Sequence, residues 1–318
     1  MSLRQNSAAP KHAPAWAALA ESRWLRGAAI SVLASAVSIC ACVPLRSPVR
    51  LTLMPKGKLA VSEPDWNRVV IVDSAKLKVV DEIDIRRPLG VAWGWNRLLV
   101  GNGSTQSIQI YQRHRGGRWS RGNELGGKKL PVPEPSDIAV DETRNLVFVL
   151  SAGRKSVMVF SIDGSFLRAI GQGPIEAERL LNPTGVEVDV TRQEVLVSDY
   201  GDPRSRLAAR VRIYDYAGNH LAEIRGDSRQ DGFEFSRPQG LVSDHAGHIF
   251  IVDALLGKVL VFDRATLKGV KTLGSYGSEP GQLMLPLDVA IDTRSMDVLV
   301  TNNRPARIEM FEQGAVVP

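Results

Sequence analysis

The chain has 318 residues, with 40 Lys and Arg against 34 Asp and Glu, and two cysteines. Its net charge of +6 falls to +3 beyond residue 41, where 36 basic residues face 33 acidic ones, too low a density for nucleic-acid binding by itself. Both cysteines, Cys40 and Cys42, precede residue 43, so the remainder has neither a disulfide framework nor a thiolate metal site.

Residues 1–26 are polar, with Arg4, Lys11, Arg23 and Arg26 against Glu21. Gly27 to Ala41 is an uncharged, apolar run of fifteen residues; a spanning helix needs about 20. A basic stretch followed by a short apolar one reads as a secretory leader. The run closes on Ile39-Cys40-Ala41-Cys42. This resembles a bacterial lipobox, which has a branched apolar residue three before the Cys and a small residue just before it. Cys42 meets both conditions, whereas Cys40 follows the bulky Ile39. The resemblance implies cleavage before Cys42 and lipidation of its thiol; several acyl chains there hold a protein on a membrane without a spanning helix. Val43 follows the Cys where an Asp would retain the protein at the inner membrane, so by analogy with enteric sorting the outer membrane is favoured. The expected organisation is a signal peptide over 1–41, a tether over 42–48 and one folded domain over 49–318.

The folded part reads as short strands in repeats. Val49–Leu53 alternates and has no evident partner in its own unit. A degenerate first copy follows, with Leu59–Val61, Val69–Asp73 and Leu77–Val80, and without a Pro in register. Five copies then open on Pro, two residues and an apolar residue: Pro88–Val91, Pro135–Ile138, Pro183–Val186, Pro238–Leu241 and Pro286–Val289, at steps of 47, 48, 55 and 48. A second run ends in a small polar residue 14 to 16 positions after each Pro, at Asn102, Ser151, Asp199, Asp253 and Asn302. A third run follows, as in Val211-Arg-Ile-Tyr214, and fourth strands are visible at Ser165–Ile170, His220–Arg225 and Lys268–Leu273. The inner runs are apolar at consecutive positions, so both of their faces are buried. The last copy shows three strands, so the N-terminal strand is expected to complete it and close a ring without open edges. The fold is all-β: a six-bladed β-propeller of four-stranded antiparallel blades, closed by the N-terminal strand.

Pro-x-Gly-Val-x-Val-Asp (183–189), an apolar run ending in Asp199, Arg-Val-x-Ile-Tyr-Asp (210–215) and Gly-rich links such as Gly171-Gln-Gly173 resemble the NHL repeat. The resemblance covers roughly residues 50–313 and implies a β-propeller. Asp141, Asp189, Asp244 and Asp292 precede the first hairpin turn of their units and are expected to form turns.

Candidate functional residues fall in three sets. Asp73, Asn102, Asp199, Asp253 and Asn302, with Ser151, are expected on one face near the central channel, where oxygen ligands hold Ca²⁺. Six-bladed lactonase-class hydrolases resemble this in placing carboxylates and amides round a metal, which makes a metal-dependent hydrolase the alternative reading. Two loops offer binding surfaces: Gly201–Arg210, with Arg204, Arg206 and Arg210, and the hairpin of Arg115, Arg118 and Trp119. Trp93 and Trp95 alternate round Gly94 and are expected to point the same way. The peptide-amidating lyase also resembles this pattern, but its metal-binding His positions are Thr184, Gln239 and Leu287 here. No Gly-x-Ser-x-Gly elbow or Cys nucleophile exists in the fold. The leading expectation is a non-catalytic scaffold of the bacterial envelope, lipid-anchored at Cys42. It needs no cofactor, binds another envelope protein or a ligand, and meets the membrane through its lipid alone.

Overall fold

A computed structural model describes residues 45–175, 178–202, 204, 207–228 and 232–312. Cys42, the leader and Arg206 lie outside the described residues.

Six antiparallel sheets follow one another along the chain. The first is Leu51–Met54, Lys58–Glu63, Arg68–Asp73 and Lys78–Asp84. The second is Pro88–Gly94, Arg97–Asn102, Ser107–Arg113 and Trp119–Gly126; the third is Pro135–Asp141, Leu146–Ser151, Ser156–Ser161 and Phe166–Ile170. The fourth is Pro183–Asp189, Glu194–Asp199, Arg210–Asp215 and His220–Arg225; the fifth is Pro238–Ser243, His248–Asp253, Lys258–Asp263 and Gly269–Leu273. The sixth contains Pro286–Ile291, Val298–Asn302 and Arg307–Phe311. Each blade runs outward from its first, inner strand.

The apolar pattern explains this stacking. In the second strand of blade 3, Val147 and Val149 pack against blade 2, while Phe148 and Leu150 pack against blade 4. Successive side chains on a strand point to opposite faces, so a blade with neighbours on both sides needs an apolar residue at every position. Each such side chain contributes roughly 1.5–3 kcal/mol when fully buried. Six apolar clusters fill six gaps, and one of them joins Leu51, Leu59 and Val61 of blade 1 to Ala290, Leu299 and Ile308 of blade 6. The ring is closed.

Closure differs from the expectation in its means. The N-terminal strand is not added to the last blade. Leu51–Met54 is the inner strand of blade 1, with Leu51 opposite Val61 and Met54 opposite Lys58. The repeat marker sits earlier than expected, at Pro48-Val49-Arg50-Leu51, and Glu63 ends the second run 15 residues after Pro48. Every strand of blade 1 is therefore one place further out than its sequence copy suggested. Asp73 ends a third strand, opposite Lys58, on the face away from Asn102 and Asp199.

The Pro of each later repeat faces the polar end of the second strand: Pro88 opposite Asn102, Pro135 opposite Ser151, Pro183 opposite Asp199, Pro238 opposite Asp253 and Pro286 opposite Asn302. A register shift follows each of these pairings. Pro cannot donate to the ladder and is tolerated at the first residue of a strand.

Candidate functional site: the axis and the two loop faces

The third position of the marker is Arg50, Gly90, Asp137, Gly185, Gly240 and Asp288 in blades 1 to 6. These positions converge on the axis. Arg50 is 4% exposed, and its guanidinium spans the ring. Its Nε donates to the Ser136 carbonyl at 3.1 Å, its Nη1 donates to the Leu287 carbonyl at 3.2 Å and to Asp288 Oδ1 at 3.1 Å, and its Nη2 donates to the Thr184 carbonyl. Asp137 Oδ1 lies 3.7 Å from Nε. One side chain thus touches blades 3, 4 and 6 from blade 1.

Gly240 makes room for it. A Cβ on Gly240 would stand 1.8 Å from Asp288 Oδ1 and 2.8 Å from Arg50 Nη1. Each axial Asp also reaches the next inner strand. Asp137 Oδ2 accepts from the Val186 N–H at 2.9 Å, and Asp288 Oδ2 accepts from the Leu51 N–H at 2.9 Å. The second of these bonds joins the last blade to the first.

Two carboxylates share one guanidinium in a dry place. Burial pushes Asp288 up to about 7 and raises Asp137, with Arg50 opposing both shifts. Burial alone would lower Arg50, but Asp137 and Asp288 hold it above its usual value. Further along the channel, Glu187 is pushed up to about 8, chiefly by desolvation. It is partly exposed and accepts from the Ser243 hydroxyl at 3.3 Å.

The expected ring at the second-strand ends has a different role. Asp199 is fully buried and accepts from the N–H groups of Leu181 at 3.0 Å, Asn182 at 2.8 Å and Gly201 at 3.0 Å, with Arg210 Nη2 at 3.4 Å. Asp253, also fully buried, accepts from Ser236, Arg237, Leu255 and Leu256. Asn302 accepts from Met284 and Asn102 from Ser104 and Thr105; the Ser151 hydroxyl donates to the Pro133 carbonyl. Glu63 takes the place assigned to Asp73, accepting from the N–H groups of Arg46 and Ser47 and from Arg68. The loops at this end carry N–H groups with no ladder partner, and a buried N–H must be paired. Glu63, Asp199, Asp253 and Asn302 pair those that precede the inner strand of their blades, and Asn102 pairs those of the turn that follows its own strand. These side chains lie one strand out from the axis, and among the described residues no three His, Cys, Asp or Glu converge as a metal-binding group. Asp73 stands apart, paired with Lys58 at 2.7 Å.

The turn-forming role of the first-hairpin Asp residues holds. Asp141 accepts from the N–H groups of Thr143 and Arg144, and Asp189 from that of Arg192. The two tryptophans differ from expectation. Trp93 packs between blades 1 and 2, whereas Trp95, at φ 51 in the turn, packs toward blade 3 and donates to Asn145 Oδ1 at 2.9 Å. The strand ends at Gly94, so its alternation does not carry through.

Among the loop residues, Arg204 is exposed. Arg210 belongs to the interior: it is 5% exposed and near Asp199 and Glu223. On the opposite face Trp119 Nε1 donates to Asp81 Oδ2 at 3.1 Å, and Arg113 bonds the same oxygen at 3.0 Å. That staple on blade 1 holds the hairpin, with Arg115 and Arg118 left exposed.

No family model matches the chain. The chain is 28% identical over 187 residues to NHL repeat-containing protein 3 of Mus musculus, a match covering 55% of this chain and 51% of that one. It is 23% identical over 141 residues to Protein brain tumor of Drosophila melanogaster, covering 44% of this chain and 12% of that one. The chain therefore spans about half the length of the first relative and a small part of the second. Among solved structures, a chain of Kuenenia stuttgartiensis hydrazine synthase superposes with a TM-score of 0.60 at 14% identity, covering 86% of this chain and 97% of that one, a likeness of fold alone. The molecule is an all-β, six-bladed propeller of antiparallel blades. Its repeats are of the NHL type.

Proposed function

We propose that this propeller is a non-catalytic binding scaffold of the bacterial cell envelope, tethered by lipid at Cys42, that recognises another envelope protein. The observation that supports it best is the axis. Where six-bladed hydrolases of the lactonase class keep a metal, Arg50 and its partners fill the space, and the nearby carboxylates are committed to backbone N–H groups. Fold alone does not choose between binding and catalysis; the saturation of these carboxylates by N–H donors favours binding. The partner surface is the stapled hairpin, which presents Arg115 and Arg118 on a fixed support, so little ordering entropy is lost on capture. The charge of these residues selects an acidic patch.

Metal content after a mild chelator wash tests the non-catalytic part. The expected result is no stoichiometric metal. About one Ca²⁺ or Zn²⁺ per chain, lost in Asp199→Ala, would overturn it in favour of a lactonase-like hydrolase.

A further inference from the structure

The two loop faces differ. Ten large apolar side chains are exposed among the described residues. Five of them, Val80, Phe166, Leu167, Leu221 and Val270, sit on fourth strands at the rim. The other five, Trp66, Ile175, Leu255, Leu256 and Tyr276, all stand on the face where the second strands end and where the chain enters at Leu45. The opposite face carries none of them.

Basic side chains stand on both faces. On the opposite face the repeats pair four of them, Arg144 to Asp141 at 2.9 Å, Arg192 to Asp189 at 2.7 Å, Arg264 to Glu194 at 2.6 Å and Arg294 to Asp292 at 2.8 Å, while Arg115 and Arg118 on the hairpin are exposed and form no ion pair among the described residues. On the N-terminal face, Arg86, Lys128, Lys129, Arg154, Lys155 and Arg179 are exposed, and none of them forms an ion pair among the described residues. They form one sector. Arg154 Nε donates to the Pro131 carbonyl at 3.0 Å, which brings it beside the Lys128–Lys129 loop. Arg154, Lys155 and Arg179 line one cleft of about 350 Å³ with the backbone of Gly171–Gly173, and Ile175 stands exposed beside it.

We infer that the N-terminal face docks on an anionic lipid bilayer. Unpaired cations facing phosphate headgroups, with aliphatic and aromatic side chains projecting beside them, are the composition of a membrane-surface element. Position agrees. The first 44 residues of the sequence precede Leu45, beyond which the N–H groups of Arg46 and Ser47 are held by Glu63 and the Arg46 guanidinium stacks 3.8 Å over Trp66. Cys42 precedes Leu45 by three positions in the sequence, so a lipid at Cys42 would tether the chain close to its entry on this face. The orientation rests on the lipid-anchored reading; the lipid affinity of the face does not. The stapled hairpin then points away from the membrane, toward partners.

The test uses the full chain with Cys42→Ser, which removes the acylation site and leaves the leader constant in every sample. Binding is measured by co-sedimentation with vesicles of one part phosphatidylglycerol to three parts phosphatidylcholine, and with phosphatidylcholine alone. The expected result is a preference for the anionic vesicles that falls with salt. A basic residue near the surface contributes about 1 kcal/mol, so Lys128→Ala with Lys129→Ala should lower anionic-vesicle binding about 30-fold. Arg115→Ala with Arg118→Ala should change it less than about twofold. Ile175→Asp should weaken binding with both charges of the lysine pair intact. Equal binding to the two vesicle types, or equal loss from the two double variants, overturns the inference. So does tight binding of an oligouridine RNA without any dependence on phosphatidylglycerol. An unacylated Cys42 in the native host, found by intact mass, would sink the anchored reading and leave the vesicle result standing.

Discussion

Replacing Arg50 by Met keeps the length and apolar stem of the side chain and removes its donors. Asp137 and Asp288 would then face each other without a counter-charge, and the carbonyls of Ser136, Thr184 and Leu287 would lose their donor. Breaking a buried ion pair from one side costs about 3–5 kcal/mol. In a domain of this size that lowers the melting temperature by ~10 °C. The loss has a pH signature. Burial already holds Asp288 at about 7 with Arg50 present. Without the guanidinium both carboxyls hold their protons to higher pH, so acid relieves the uncompensated charge and the variant lies closer to the wild type at pH 5.5 than at pH 8. Adding Asp288→Asn removes one uncompensated charge and should recover part of the loss at pH 8. The assay is thermal melting of all three proteins at both pH values. A loss below about 1 kcal/mol at pH 8, or one that neither pH nor Asp288→Asn alters, would refute the axial role given to Arg50.

Further outcomes follow from the same geometry. Asp199→Ala removes the acceptor of three backbone N–H groups and an Arg neighbour, and should destabilise by about 3 kcal/mol or more. Asp73→Ala, on the opposite face, should leave the melting temperature unchanged; equal effects of the two would contradict the shifted strand order of blade 1. Glu187 rises from 4.5 to about 8, so the folded protein keeps a proton that the unfolded chain releases. Its contribution is full below pH ~4.5 and is lost as pH rises through 8. Glu187→Gln should therefore flatten the stability profile between pH 5 and 8 and raise the melting temperature at pH 9, on the order of 3 kcal/mol. A variant tracking the wild type at every pH would show that Glu187 stays ionised.

The blades were legible because the repeat writes the same two demands each time. A strand packed on both sides needs consecutive apolar residues, as in Val147–Leu150, and the turn after it needs a residue such as Asp189. Blade 1 was misread although its signals were present. Pro48 and Glu63 have the repeat spacing, but the step to Pro88 is 40 rather than 47 or more, and Arg50 stands where Gly or Asp recurs. The same Arg hides the axis. Nothing in linear order says that one guanidinium will meet carbonyls 86, 134 and 237 residues away. The polar residues ending the second strands were found but given a ligand-binding role. Their role depends on loop N–H groups, and a strand pattern does not reveal which of these lack partners.

The binding role is tested most directly in the native membrane. A photo-crosslinking residue placed at Gly116, on the turn between Arg115 and Arg118, should yield one discrete adduct with an envelope protein. That adduct should vanish in Arg115→Glu with Arg118→Glu while the fold melts as the wild type does. No adduct at this position, or an adduct indifferent to the charge reversal, would contradict a scaffold that recognises its partner through this hairpin.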